Sequence, residues 1–403
     1  MAETVIQPDW LQARETAAVI AALGAEAARF VGGAVRDSLL ARPVGDIDLA
    51  TVLEPAEVMA RLERAGLKAV PTGLDHGTVT AVAQGKPFQI TTLRKDVETF
   101  GRHARVAFTE DWRADAARRD FTMNALYADA DGRIYDYFGG VADARAGRVR
   151  FIGEPAQRIA EDALRILRFF RFHAHYGGDG LDPEGYAACR EKRGLIDLLS
   201  IERLRDELLR LLEAPGPCGA LAAMCEAGVL AHLLPETGEL AHLRQLVALE
   251  QGLDRRDRLR RLAALAPRRK NVLDGLARRL RLSNDQRKRL AAMAGEAPDP
   301  QDPAALRAAA YRLGGQTAID RLLLGATPAS LETVREALAL LESWTPPALP
   351  VSGRDLVRAG IPEGPELGRR LRALEERWIA SDFTLSQDAL LAALSSEDAS
   401  DAG

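Results

Sequence analysis

Strand-like patterning stops near Glu154, and no other feature of the chain limits its possible folds so strongly. Upstream, short apolar and β-branched runs predict strands at 28–31, 46–50, 78–82, 88–92, 125–128 and 133–137, with helices at 34–40 and 55–65. Asp131 and Gly132, between the last two runs, read as a tight hairpin turn. Downstream, Leu/Ala/Arg-rich segments recur at helical spacing, broken by short interruptions. Proline-rich stretches at 214–217, 297–303 and 345–350 mark junctions, and 395–403 is acidic, small and expected to be disordered. A chain of 403 residues exceeds one ordinary hydrophobic core. The expectation is an α+β head followed by a helical body.

The richest segment is FVGGAVRDSLLARPVGDIDLA, residues 30–50. A strand runs into Gly32 and Gly33, and a helix follows. Two glycines let backbone approach a bulky anion, and a helix N-terminus supplies free N–H groups and a positive dipole end. Asp46 and Asp48 lie two apart in a strand, so both carboxylates face one side and Ile47 and Leu49 the other. Two close carboxylates repel each other unless a cation lies between them, and Mg2+ is the natural choice beside phosphates. The plainer reading is a pair of turn or cap residues.

Further along, Arg118-Arg119-Asp120-Phe121-Thr122-Met123-Asn124 offers two guanidiniums to clamp a triphosphate, with Asp120 and Asn124 placed to receive a ribose hydroxyl. The segment from Glu161 to Arg171 predicts one helix, on which Glu161, Asp162, Arg165 and Arg168 share an arc of roughly 120°, with Arg171 at or beyond its edge. An Asp accepts and an Arg donates, so Asp162 and Arg165 match the exocyclic amine and ring acceptor shared by cytosine and adenine. The same pair also reads as a surface ion pair worth a few tenths of a kcal/mol. Helix 200–212 carries an apolar stripe of Ile201, Leu204, Leu208 and Leu211 with Ser200 as its N-cap.

Composition excludes several classes. No apolar run reaches the roughly 18–20 residues of a membrane span, and the first residues lack a signal-peptide pattern. Three scattered cysteines make neither a disulfide framework nor a zinc site, and suit a reducing cytoplasm. Net charge is only −4, yet residues 255–289 hold 14 Lys/Arg against 3 Asp/Glu, which points to a polyanionic partner or to solvated helix faces.

The ordered string GGAVRD, DIDLAT, HGTVT, TTLR, RRDFTMNAL and GEPAQRIAEDALRILRFFRF resembles the bacterial-type (class II) tRNA nucleotidyltransferases, the CCA-adding enzymes, and their relatives the bacterial poly(A) polymerases. The match covers about residues 28–212, and SGRDLVRAGIPEGPELG (352–368) resembles a tail segment of such proteins. The resemblance implies a polymerase-β-like nucleotidyltransferase head at 1–144 followed by an all-α neck (145–214), body (215–297) and tail (298–403). It implies Mg2+ on Asp46 and Asp48, and nucleotide phosphates on Gly32, Gly33, Arg36 and Arg119. Asp162 and Arg165 would form a protein template for CTP and ATP, completed by Arg168 and Arg171. Asp143 and Arg150 would form a hinge, and 96–115 a flexible loop that helps switch from C to A addition. Many members have Glu where this chain has Gln89, a neutral side chain that cannot act as a base. The implied activity is two-metal addition of C, C and A to the tRNA 3′ end. Poly(A) synthesis, partial CC- or A-addition and a non-catalytic RNA-binding role remain as alternatives. Oligomeric state is not legible.

Overall fold

The computed structural model describes residues 4–74, 77–100 and 103–400, and divides into two compact units, 1–235 and 236–403. In the first, nine strands form: β1 (Ala28–Val31), β2 (Ile47–Thr51), β3 (Lys68–Gly73), β4 (Thr78–Ala83), β5 (Lys86–Thr92), β6 (Arg94–Phe100), β7 (His103–Phe108), β8 (Leu126–Ala128) and β9 (Ile134–Asp136). Seven of them make a mixed sheet in the order β3-β4-β5-β2-β1-β8-β9, with β2 and β5 parallel and the other neighbours antiparallel. The ribbon β6–β7 stands apart. All six expected strands form, within about one or two residues of the expected bounds. The pattern missed β3, the ribbon and helix α1 (Arg14–Leu23).

Alternation along β2 sets the geometry of the head. Ile47 and Leu49 are buried in a core with Phe30, Phe88 and Ile90, which is covered by α1 and α3 (Pro55–Arg64). Asp48 and Ala50 take the opposite face, where Ala50 joins Val31, Leu93 and Tyr127 in a second cluster. The β8–β9 turn falls at Asp131 and Gly132. Gly132 has φ 82°, and a Cβ there would collide with the Ile6 carbonyl.

Beyond an isolated bridge at Phe151, no strand occurs among the described residues. The helices that matter for the site are α2 (Gly33–Leu39), α4 (Trp112–Ala117), α5 (Gly140–Arg145), α6 (Pro155–Glu161), α7 (Leu164–Tyr176), α8 (Pro183–Glu191) and α9 (Ile201–Leu212). One expectation fails here. Residues 161–171 are not one helix: Asp162 is extended (φ −149°, ψ 104°) between α6 and α7. Its carboxylate accepts from the Leu164 N–H at 3.2 Å, the local bond by which Asp competes with a helical ladder. Ser200 precedes α9 as expected, but its side chain makes no cap hydrogen bond. Leu204, Leu208 and Leu211 are buried as the stripe predicts.

The second unit is helical throughout its described residues. Its arginines correct the simple reading of 255–289 as a free basic surface. Arg260 and Arg261 are buried on Glu250, and Arg260 and Arg289 share Asp320. Arg279 pairs with Glu236, and Arg278 and Arg287 with Asp274. Most of these carboxylates lie outside 255–289, so local counting could not see the neutralisation. A separate apolar cluster holds Val351, Leu356, Leu374, Trp378 and Leu390. Helix Gln387–Ser400 runs through most of the segment expected to be disordered, and 401–403 lie outside the described residues.

Candidate active site

A cavity of about 590 Å3 opens on the Asp48 face of the sheet. Gly32 ends β1 with φ 70° and ψ −120° and starts α2, a backbone turn that disfavours any side chain. Gly32, Gly33, Arg36, Asp48, Arg119, Asp120, Asn124, Asp162, Arg165 and Arg168 all line the cavity. Asp46, Arg171, Asp143 and Arg150 are not among its lining residues. Asp46 precedes β2 and is exposed, but its charge reaches Asp48. Burial, and then the Asp46 charge, push the Asp48 carboxyl above its ordinary value, against a smaller pull from Arg119. Gln89 sits beside Asp48 in the parallel β2–β5 register. No group of three or more His, Cys, Asp or Glu side chains suited to a metal occurs among the described residues.

The cationic side chains are held rather than loose. Asp115, 1% exposed, accepts from Arg118 Nε at 2.8 Å, Arg119 Nη2 at 3.2 Å and the Tyr127 hydroxyl at 2.6 Å. Burial raises its pKa, but Arg119, Arg118 and the Tyr127 hydrogen bond outweigh this and bring it to about 2. Arg158 Nη2 donates to the Arg119 carbonyl at 2.8 Å and so ties α6 to the Arg-Arg-Asp segment.

Asp120 and Asn124 are committed to each other and to the arginines around them. Asp120 accepts from Asn124 Nδ2 at 2.9 Å, from its neighbour's N–H at 2.8 Å and from Arg168 Nε at 2.8 Å. Burial opposes its charge, but Arg168 and these hydrogen bonds hold it below the usual carboxylate range. Asn124 Oδ1 accepts from Arg36 Nη1, and Arg36 Nη2 donates to the Tyr176 hydroxyl at 2.6 Å. Arg36 is thus a buried strut between α2 and α7.

Asp162 and Arg165 both face the cavity; the Arg165 N–H donates to the Asp162 carbonyl at 3.0 Å, while their side chains are held by other partners. Arg203 of α9 donates to both Asp162 oxygens, at 3.0 and 2.8 Å. Arg165 Nη1 donates to the Arg158 carbonyl at 2.5 Å and to Glu161 Oε2 at 2.7 Å. Arg171 turns away to Glu207, at 2.6 Å. Asp143 accepts from Thr122 at 2.7 Å and from Arg150 Nε at 2.9 Å, behind the Arg-Arg-Asp segment. The segment expected as loop 96–115 contains the ribbon β6–β7 and helix α4, while 101–102 lie outside the described residues.

Comparison with known proteins gives the family. Residues 28–150 match the family described as the poly A polymerase head domain, and 180–240 the one described as a probable RNA and SrmB-binding site of polymerase A. The chain is 34% identical to the mitochondrial CCA tRNA nucleotidyltransferase 1 of Danio rerio, over 91% of this chain and 86% of that one. The chain belongs to the CCA-adding tRNA nucleotidyltransferase family. It is also 31% identical to the CCA-adding enzyme of Limosilactobacillus fermentum, covering 91% and 92% of the two chains. Its fold matches the crystal structure of the Bacillus stearothermophilus CCA-adding enzyme in complex with CTP, with a TM-score of 0.78 at 30% identity, over 98% of this chain and 99% of that one. The α+β nucleotidyltransferase head with an all-α remainder is the architecture of this family.

Arg118, expected with Arg119 as a phosphate clamp, lines the cavity as well, whereas sequence reading missed Arg94, Leu164, Phe172 and Arg203 as cavity residues, and Asp115, Tyr127 and Arg158 as supports. Asp115 had a signal: it stands three and four residues before the two arginines, the spacing of neighbours on one helix face. Arg203 had none, because it meets Asp162 across 41 residues of sequence.

Proposed function

We infer that the chain is an RNA 3′-end nucleotidyltransferase that adds C, C and A to tRNA, using CTP and ATP and releasing pyrophosphate. One observation carries this reading beyond family membership. A single cavity holds the glycine turn, Asp48, a ring of anchored arginines and the Asp162/Arg165 pair.

The tRNA 3′-hydroxyl attacks the nucleotide α-phosphate, and the bond to the pyrophosphate leaving group breaks. Asp46 and Asp48 fit a divalent cation: both are oxygen donors, and burial and like charge already strain the Asp48 carboxylate. Mg2+ there would lower the pKa of the attacking hydroxyl and neutralise charge on the departing phosphate oxygens. The turn at Gly32 and Gly33 lets the triphosphate approach the backbone. Arg119, braced by Asp115 and Tyr127, faces the triphosphate with a fixed charge. Arg36, bound to Asn124 and Tyr176, keeps the phosphate wall in place. Asp120 and Asn124 set the ribose end of the pocket, orienting Arg168 there. Asp162 accepts from the exocyclic amine of cytosine or adenine, and Arg165 donates to the adjacent ring acceptor. Uracil and guanine present the opposite pattern and leave buried polar groups unpaired. Arg171, anchored on Glu207, supports the pocket through Phe172.

In this assignment 1–144 is the catalytic head, 145–214 the neck that reads the base, and 215–297 and 298–403 the body and tail that hold tRNA. Asp143 and Arg150 lie at the head–neck junction as a hinge. Gln89 stays outside the metal site. No described helix is long and apolar enough to cross a membrane. The three free cysteines fit a reducing compartment, which is the basis for placing the protein in the cytoplasm.

The test is incubation of tRNA lacking its 3′ end with labelled CTP and ATP. Three added residues are expected. A long A tract would reassign the chain to poly(A) synthesis, and one or two residues to partial addition. Asp46→Ala and Asp48→Ala should abolish incorporation with the fold intact. Wild-type turnover by either would refute the metal assignment.

A further inference from the structure

The second unit, 236–403, holds a cavity of about 820 Å3 that the mechanism does not use. Its wall runs from the loop before helix Lys270–Arg279, across helix Asn284–Ala292, to Arg321 on helix Gly315–Gly325. Six cationic side chains line it: Arg268, Arg269, Lys270, Arg287, Lys288 and Arg321. Asp274 is the one carboxylate in the lining, and it is already engaged by Arg287 at 2.7 Å and Arg278 at 2.6 Å.

Arg268 is the informative residue. Its Nη1 is buried and has no hydrogen-bond partner among the described residues. Burial holds its pKa below the usual arginine value, and Arg321 is lowered by burial and by the Arg268 charge. Arg321 is fixed in place, because its Nε donates to the Ala292 carbonyl at 2.8 Å. The helix beginning at Lys270 has no side-chain cap at Arg269, so its first N–H groups add to the same positive field.

Elsewhere in this unit the buried and half-buried guanidiniums of Arg260, Arg261 and Arg289 meet carboxylates. Arg268 and Arg321 are half-buried neighbours without a carboxylate partner among the described residues, and an anion seated between them would satisfy the buried Arg268 Nη1 and offset their mutual repulsion. Guanidinium forks suit phosphate oxygens, and a cavity of this size admits a phosphodiester with its sugar.

We propose that this cavity is a phosphate-binding site that seats the backbone of the RNA substrate, with Arg268 and Arg321 as the phosphate ligands and Lys270 and Lys288 at the rim. The proposal rests on the reading of tRNA as substrate. It differs from general basic attraction because at least seven of the fourteen cations of 255–289 are ion-paired within the protein, while Arg268, Arg269, Lys270 and Lys288 meet in this one pocket.

The test uses the full chain, comparing wild type with Arg268→Ala, Arg321→Ala and Arg268→Lys. Affinity for tRNA lacking its 3′ end is measured by anisotropy over a series of KCl concentrations. Each Ala variant should bind about tenfold more weakly at fixed salt, and its log Kd–log salt slope should fall by about 0.7–0.9. The Lys variant should recover part of the loss. KM for CTP at saturating tRNA should stay unchanged. The Arg268→Ala thermal midpoint should hold or rise, because removing Arg268 relieves its repulsion of Arg321.

Unchanged affinity and slope would overturn the proposal. So would a lowered midpoint with lost turnover at saturating tRNA, which marks a structural arginine. A third overturning result is a millimolar inorganic phosphate or pyrophosphate shift of the wild-type midpoint, absent in the variants, with tRNA affinity equal. That outcome assigns the cavity to small anions. Wild-type chain that binds tRNA yet adds no nucleotide would refute the proposed activity and leave the binding test of this pocket standing.

Discussion

Asp115→Asn removes one negative charge from the head while keeping the side-chain shape, so it tests whether this buried carboxylate organises the arginine wall. Asp115 is 1% exposed and bonded to Arg118, Arg119 and Tyr127, with the Arg94 N–H at 3.2 Å. A carboxyl brought from its ordinary 3.8 to about 2 carries roughly 2–3 kcal/mol of charge-dependent stability at neutral pH. The pKa is depressed in the folded state. That stability is therefore fully present above about pH 4 and is lost as pH falls toward 2. Urea unfolding, followed by hydrogen exchange of the β1, β2 and β8 amides, should place the variant roughly 2–3 kcal/mol below wild type at pH 7. The gap should narrow as pH falls below about 4. KM for CTP should rise at the same time, because Arg118 and Arg119 lose their anchor. Equal stability at pH 7 together with unchanged CTP KM would refute the idea that Asp115 positions these cations. A constant gap down to the lowest accessible pH would refute the charge argument alone.

Two further outcomes follow from the same cavity. Arg165→Ala should raise UTP misincorporation relative to CTP and ATP by about 10-fold or more, and Arg203→Met should do the same less severely by releasing Asp162; primer-extension assays with each nucleotide would reveal unchanged selectivity if the template assignment is wrong. Gln89→Glu places a third carboxylate next to Asp48 in the β2–β5 register and should lower the Mg2+ concentration for half-maximal activity several-fold, whereas a magnesium titration identical to wild type would place this position away from the metal.

Much of the head was legible because short-range rules govern it. Period-two alternation put Ile47 and Leu49 into the core and Asp48 on the other face, and a glycine pair announced the turn beside it. The ordered motifs identified the family and most residues that line the cavity. Helical periodicity was a weaker guide at Asp162. There a side-chain bond to the Leu164 N–H interrupts the helix that spacing alone predicts.

What the sequence determined by itself was the chemistry: an α+β head, an acidic pair, a glycine turn, and donor and acceptor residues suited to a nucleotide. Only the tertiary structure decided which charges are used where. Charge counting along the chain assigned 255–289 a large positive excess, but Glu236, Glu250, Asp320 and Glu342 arrive from distant positions and neutralise much of it. Arg203 likewise reaches Asp162, and Arg158 reaches the carbonyls of Arg118 and Arg119, only after folding. The reason is range. Backbone patterning depends on neighbours a few residues apart, whereas the pairing of a buried charge depends on whichever partner the fold brings within about 3–4 Å.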